Sequence, residues 1–251
     1  MKSKSVSRKL FAVCLAVFYS TLVYADHAWN DYHWATITKP IPLPVIDNVT
    51  EDWDYHLVEA ISQWSQSIVF SPWLIESDNR VKTRKDCLMA TGRLRVCNYK
   101  YGATGWLGHT VIGFDQNGHI DKARVRLNDS YAQYWNMVSK NHVVCHEMGH
   151  VFGLAHTSGD GSSQQTCMDL AYQDPLSQWS NQHDFVQIVQ IYAHHDTYNS
   201  YDDGSGLNAD ALDESEPEKG KLVSRGPKHE IWLSPRSDGG FWIHYILLAN
   251  E

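Results

Sequence analysis

The stretch that decides how this chain is read is CHEMGHVFGLAHTSGDGSSQQTCMD, Cys145 to Asp169. On a helix, residues i and i+4 share a face, so His146 and His150 can point their imidazoles at one ion. Glu147 lies between them and can reach a water at that ion without binding it. Gly153 follows where a left-handed cap would bend the chain sharply and bring His156 back as a third nitrogen ligand. Three neutral imidazoles leave a fourth tetrahedral position for water, the open arrangement of catalytic zinc. The competing reading is a set of ordinary helix-surface histidines. By chance, H-E-x-x-H occurs in such a chain at roughly a few per cent, and the later glycine and histidine lower that to about one in ten thousand. The spacing therefore points to a metal site.

Outward from this segment, the 251 residues are 43% hydrophobic and 20% charged, enough to bury one sizeable core. The start reads differently. MKSKSVSRK carries four positive charges and no acid, and the apolar run LFAVCLAVFYSTLVYA follows, with Val23 and Ala25 suited to signal-peptidase cleavage after Ala25. Ser20 and Thr21 interrupt a run already short for a bilayer, so residues 1–25 are expected to be a signal peptide and the remainder secreted, with the periplasm as the other compartment open to it. Without that leader, 17 basic residues face 29 acidic ones, a net charge of about −12, which argues against nucleic acid or an anionic membrane as partner. Four cysteines remain: Cys87, Cys97, Cys145 and Cys167. An even number in an exported chain implies two disulfides. Three connectivities are open, and local closure favours Cys87–Cys97 and Cys145–Cys167.

The pattern along the chain mixes helices with strands, an α+β class. Thr50 is placed to cap a helix in which Trp53, Leu57, Ala60, Ile61, Trp64 and Ile68 recur at helical spacing. Strand patterns run from Ser71 to Asp129, with Asn117-Gly118 as a hairpin signal. A second helix is expected from about Tyr131 to Val151, in one or two pieces. A third starts where Asn181 and Asp184 form a capping-box-like pair ahead of Phe185, Ile188 and Tyr192. Residues 197–220 are acidic and poor in large apolar side chains, a linker or loop. Residues 221–251 alternate again around Gly239-Gly240, a short β-rich C-terminal extension.

HEMGHVFGLAH resembles the metzincin zinc signature H-E-x-x-H-x-x-G-x-x-H, and Met168 in TCMD stands where the Met-turn methionine of that family lies. YHWA, VCNYKYGATGWLG and NQHDFVQIVQIYAH look like small secreted, microbial, matrixin-like metallopeptidases, a likeness spanning roughly residues 30–196. The resemblance implies a metzincin fold over residues 26–196: a twisted mixed sheet, an active-site helix, and a lower subdomain after Gly153. It also implies a zinc endopeptidase, with His146, His150 and His156 as ligands to one Zn2+, Glu147 as general base and Met168 as an apolar floor. Substrate would pair as an extended strand with a sheet edge within Gly105–Phe114. Two features depart from relatives of this type. Leu170 stands where the astacin and serralysin pattern has a zinc-binding tyrosine, and no cysteine-switch motif lies upstream.

The other histidines, among them His33, His119 and the His194-His195 pair, lack ligand spacing as a set. The acidic stretch from Asp202 misses the EF-hand positions, which leaves structural calcium open. Tyr172 is a candidate oxyanion donor, whereas Tyr192 belongs to an apolar stripe. The expected protein is a monomeric, secreted zinc endopeptidase. The reading from another class is an exported zinc-binding module that binds peptides without cleaving them.

Overall fold

Two long strands of alternating and β-branched residues, β5 (Trp106–Phe114) and β6 (Ile120–Asn128), form the central hairpin. The five-residue connection is organised by Asp115, whose Oδ1 accepts from the backbone N–H groups of Asn117 (2.8 Å) and His119 (2.9 Å). The structure is a computed structural model that describes residues 27–30, 32–203, 212–213 and 217–249. The expected leader and most of the acidic stretch after Asp203 lie outside the described residues.

Around the hairpin an eight-stranded mixed sheet assembles. The N-terminal half adds β1 (Pro44–Asn48), β2 (Trp73–Glu76) and β4 (Leu94–Tyr99), giving the order β2-β1-β4-β6 with all neighbours parallel. The C-terminal residues add β8 (Lys221–Arg225), β9 (His229–Pro235) and β10 (Phe241–Leu248), all antiparallel, in the order β5-β10-β9-β8. The short strands β3 (Met89–Ala90) and β7 (Leu212–Asp213) pair separately. The expected α+β class is observed, and the β-rich C-terminal segment continues the main sheet from β5.

Helix α1 (Glu51–Trp64) forms as its apolar spacing predicts, burying Trp53, Leu57, Ala60 and Trp64. Two details differ from expectation. Thr50 occupies the N-cap, but its hydroxyl accepts from Asn98 Nδ2 (2.9 Å) and caps no helix N–H. The helix ends at Trp64, so Ile68 is 76% exposed and no part of the stripe. A short helix α2 (Val81–Asp86) precedes Cys87.

The second expected helix is in two pieces, a 3-10 turn (Asp129–Tyr134) and α3 (Met137–Val151). Asn136 separates them by starting a capping box: its Oδ1 accepts from Ser139 N (3.0 Å) and Ser139 Oγ accepts from Asn136 N (2.9 Å). Helix α4 (Gln182–Ile191) starts at the reciprocal box of Asn181 and Asp184 that its sequence suggests.

Helix α3 packs on β5 and β6 and against α1, so that every residue from Asn141 to Val151 is buried while Met137 in its first turn is exposed. Indole N–H groups tie it in place: Trp64 Nε1 donates to Cys145 O (3.1 Å) and Trp34 Nε1 to Val151 O (2.9 Å). The disulfides are Cys87–Cys97 and Cys145–Cys167, the pairing that local closure favours. Among the described residues no helix is long and apolar enough to cross a membrane.

Strand β10 contributes Ile243 to the core with no exposed surface. Ile243→Ala is expected to cost about 2–5 kcal/mol in urea unfolding; a cost within a few tenths would mean that the C-terminal strands are peripheral. Across the β5–β10 pairing, His109 Nε2 and His244 Nδ1 approach to 3.1 Å. Burial first, then His244, Arg124, Arg126 and Lys219, hold His109 well below the usual histidine range. The unfolded chain therefore takes up a proton there below about pH 6.5 that the folded chain does not, and stability falls as the pH drops through that point. His109→Gln should flatten this acid limb of a stability-versus-pH series.

Candidate metal centre

His146 and His150 lie one turn apart on α3, with 0% and 1% of their surface exposed. Each ring is fixed through Nδ1. His146 Nδ1 donates to Cys167 O (2.6 Å) and His150 Nδ1 to Leu154 O (2.8 Å). A neutral imidazole that donates through Nδ1 carries its lone pair on Nε2. The two Nε2 atoms stand 3.1 Å apart, so two lone pairs face each other in a buried place. A cation between them removes that conflict, and backbone-anchored Nδ1 atoms are the usual outer support of a metal-bound histidine.

The third imidazole arrives as the sequence suggests. Gly153 has φ +96°, and a Cβ there would stand 2.5 Å from Tyr32 O, so both conformation and space call for glycine. The turn carries His156 back until its ring centroid lies 5.0 Å from that of His146 and 4.8 Å from that of His150. His156 Nε2 is buried and has no hydrogen-bond partner. The ligand atoms of the three histidines lie within 4.8 Å of one another, a group that could hold a metal ion. Burial pushes His146 down to about 3 and holds His150 and His156 well below the usual range, which keeps all three neutral and able to coordinate.

Glu147 is fully buried beside them. Its Oε2 accepts from the Thr110 hydroxyl (2.5 Å), while Oε1 has no partner. Burial pushes its carboxyl up to about 8; a nearby dication pulls a carboxyl the other way. Met168 lies under the helix, where a Cβ on Gly149 would meet its Sδ at 2.2 Å. Met168 O also accepts from Thr157 N (3.0 Å), and the Cys145–Cys167 bond ties the helix to this turn. The methionine thus floors the ligand helix without being one of the three converging groups.

Several neighbours carried no sequence signal as site residues. Thr110 on β5 holds the glutamate, and only strand register brings it there. His142, one turn before His146, donates through Nδ1 to Ser177 O (2.5 Å) and stacks on the His146 ring. From the C-terminal strands, Tyr245 stacks on His150 at 4.0 Å and 10°, and His229 approaches His156 at 4.7 Å. Tyr172 is buried with Lys228 over its ring, and Tyr192 belongs to the core, its hydroxyl accepting from Trp34 N (3.1 Å).

A free sheet edge is expected within Gly105–Phe114; β5, which occupies that range, is instead an inner strand, hydrogen-bonded by β6 on one side and by β10 on the other. The histidines without ligand spacing also prove to be gathered in space: His27, His183 and Asp184 form one group, and His33, His119 and Asp196 another. Comparison of the chain with protein-family models, with curated proteins and with solved structures gave no match.

Proposed function

We propose that the chain is a secreted zinc endopeptidase of the metzincin type, with residues 26–196 as its catalytic part. The observation that carries this reading is the convergence of two backbone-anchored Nε2 lone pairs and the unpartnered His156 Nε2 beside a buried glutamate. Three imidazoles, with no fourth ligand grouped with them among the described residues, suit an open site, and nitrogen donors suit zinc. His146, His150 and His156 would hold the zinc, which would supply a Lewis acid able to make a water nucleophilic near neutral pH and to polarise a carbonyl. Glu147 accepts the proton of the attacking water at Oε1 and passes it to the leaving amine. Thr110 keeps the carboxylate aimed by holding Oε2.

The natural place for an extended substrate is the side of β5 away from β6, where backbone groups can pair as in any β-addition. In this structure β10 fills that place from Phe241 to Leu248 and sets Tyr245 on His150. The form described is therefore a closed one, and opening requires β10 to yield. The same covering favours a second reading, a zinc-binding module that never opens to substrate.

Glu147→Gln is expected to retain zinc and lower cleavage of unfolded casein by at least about a hundredfold, the usual worth of a general base; normal turnover would sink the mechanism. Tyr245→Ala removes an aromatic contact worth about 0.5–1.5 kcal/mol and should raise kcat/KM up to roughly tenfold. Zinc binding without cleavage in both the wild type and Tyr245→Ala would favour the binding module.

A further inference from the structure

We propose that His33, His119, His194 and Asp196 form a second, structural site for a divalent transition-metal ion, with zinc the best fit to its ligands. These residues come from three segments. His33 lies in the N-terminal stretch that bridges to the hairpin through Ile120 N, which donates to His33 O (2.8 Å). His119 sits in the β5–β6 connection, and His194 and Asp196 follow α4. None is near the ligand helix in sequence, and the site stands whether or not the chain is a peptidase.

The four side chains approach one another closely. His33 Nε2 is 3.0 Å from His194 Nε2 and 3.5 Å from Asp196 Oδ2, while Asp196 Oδ1 is 3.4 Å from His119 Nε2 and 3.6 Å from His194 Nε2. Nitrogen and oxygen ligands about 2.0–2.1 Å from a tetrahedral zinc stand roughly 3.3–3.4 Å apart. With Asp196 Oδ1 as the carboxylate ligand, the edges of 3.0, 3.4 and 3.6 Å bracket that value, and Oδ2 is the second oxygen, which faces His33 and Thr36 N.

Proton placement points the same way. The Tyr198 hydroxyl donates to Asp115 Oδ2 (2.6 Å), so its oxygen accepts from His119 Nδ1 (2.7 Å). Neutral His119 then presents a lone pair on Nε2, and that lone pair faces a carboxylate oxygen. His33 and His194 also direct Nε2 at each other (3.0 Å), an approach that either one shared proton or a cation coordinated by both satisfies. Asp196 Oδ2 is held by Thr36 N (2.8 Å), which orients the carboxylate toward the three rings. A dication at the centre satisfies every one of these groups. The chain His119–Tyr198–Asp115 is the outer support expected of a metal-bound imidazole. Three nitrogens and one carboxylate fill a tetrahedral shell, so the ion would be structural, clipping the N-terminal segment and the exit of α4 onto the hairpin turn.

The test is metal content of the full chain, purified in zinc and freed of excess ion, by elemental analysis. The wild type is expected to hold two zinc ions. His119→Ala and, separately, His194→Ala should each hold one; His194 is half exposed, so its removal leaves the fold standing if His119→Ala does not. In a His146→Ala/His150→Ala background one zinc should remain, and a chelator should lower Tm. Adding His194→Ala there should abolish both the zinc and the chelator effect. A single zinc in the wild type that His119→Ala and His194→Ala leave in place would overturn the proposal and assign the cluster to protonated histidines paired with Asp196. Absence of peptidase activity bears on the other centre and leaves this count unchanged.

Discussion

From Asn141 to Val151 helix α3 is buried on every side, yet this stretch carries His142, His146, Glu147 and His150. Polar groups in such a place must find partners or destabilise the fold. Much of the surrounding chain is arranged to meet that demand. Carbonyls of Leu154, Cys167 and Ser177 receive the three imidazole N–H groups, and all three lie after the helix in sequence. The bend at Gly153 brings Leu154 within reach, and the Cys145–Cys167 link keeps the Cys167 carbonyl beside the helix. From the other direction, the indoles of Trp34 and Trp64 donate to the helix carbonyls. Along the helix and the turn that follows it, His142 Nε2, Glu147 Oε1 and His156 Nε2 stay without a hydrogen-bond partner. Two of these atoms, Glu147 Oε1 and His156 Nε2, belong to the group of side chains that converges at the centre.

Local signals were legible, and long-range ones were not. The i, i+4 histidines, the glycine bend, both capping-box patterns and the local disulfides each depend on residues close in sequence, so a single chain displays them. Thr50 shows the limit. Its cap position is local, but the hydroxyl is taken by Asn98 from β4, a partner that only the sheet supplies. Ile68 continued a helical period that the chain ended four residues earlier. Thr110 and Tyr245 reach the centre through strand register, and register across more than a hundred residues leaves no periodic trace. His33, His119 and His194 fail any spacing rule for the same reason.

The two histidine clusters differ in a way their chemistry explains. At the α3 centre, three imidazoles converge beside a buried carboxyl with no fourth ligand grouped with them among the described residues, an arrangement that suits the proposed reaction. At the hairpin turn, a carboxylate completes the shell, an arrangement suited to holding segments together. One fold can use both, because the second cluster pins the connection whose strands present Thr110 and Gly108 to Glu147.

The place of β10 also bears on how the protein behaves in a crowd. Without it, β5 would be a nine-residue, largely apolar edge, the kind that pairs indiscriminately with other chains. With the C-terminal strands in place, the outer edge becomes β8, five residues long with Lys221 and Arg225 exposed on it. Charge and shortness make that edge a poor template for aggregation. An opened chain would present to its own copies the same hydrogen-bonding groups it presents to a peptide, so its solubility and its access to substrate pull in opposite directions.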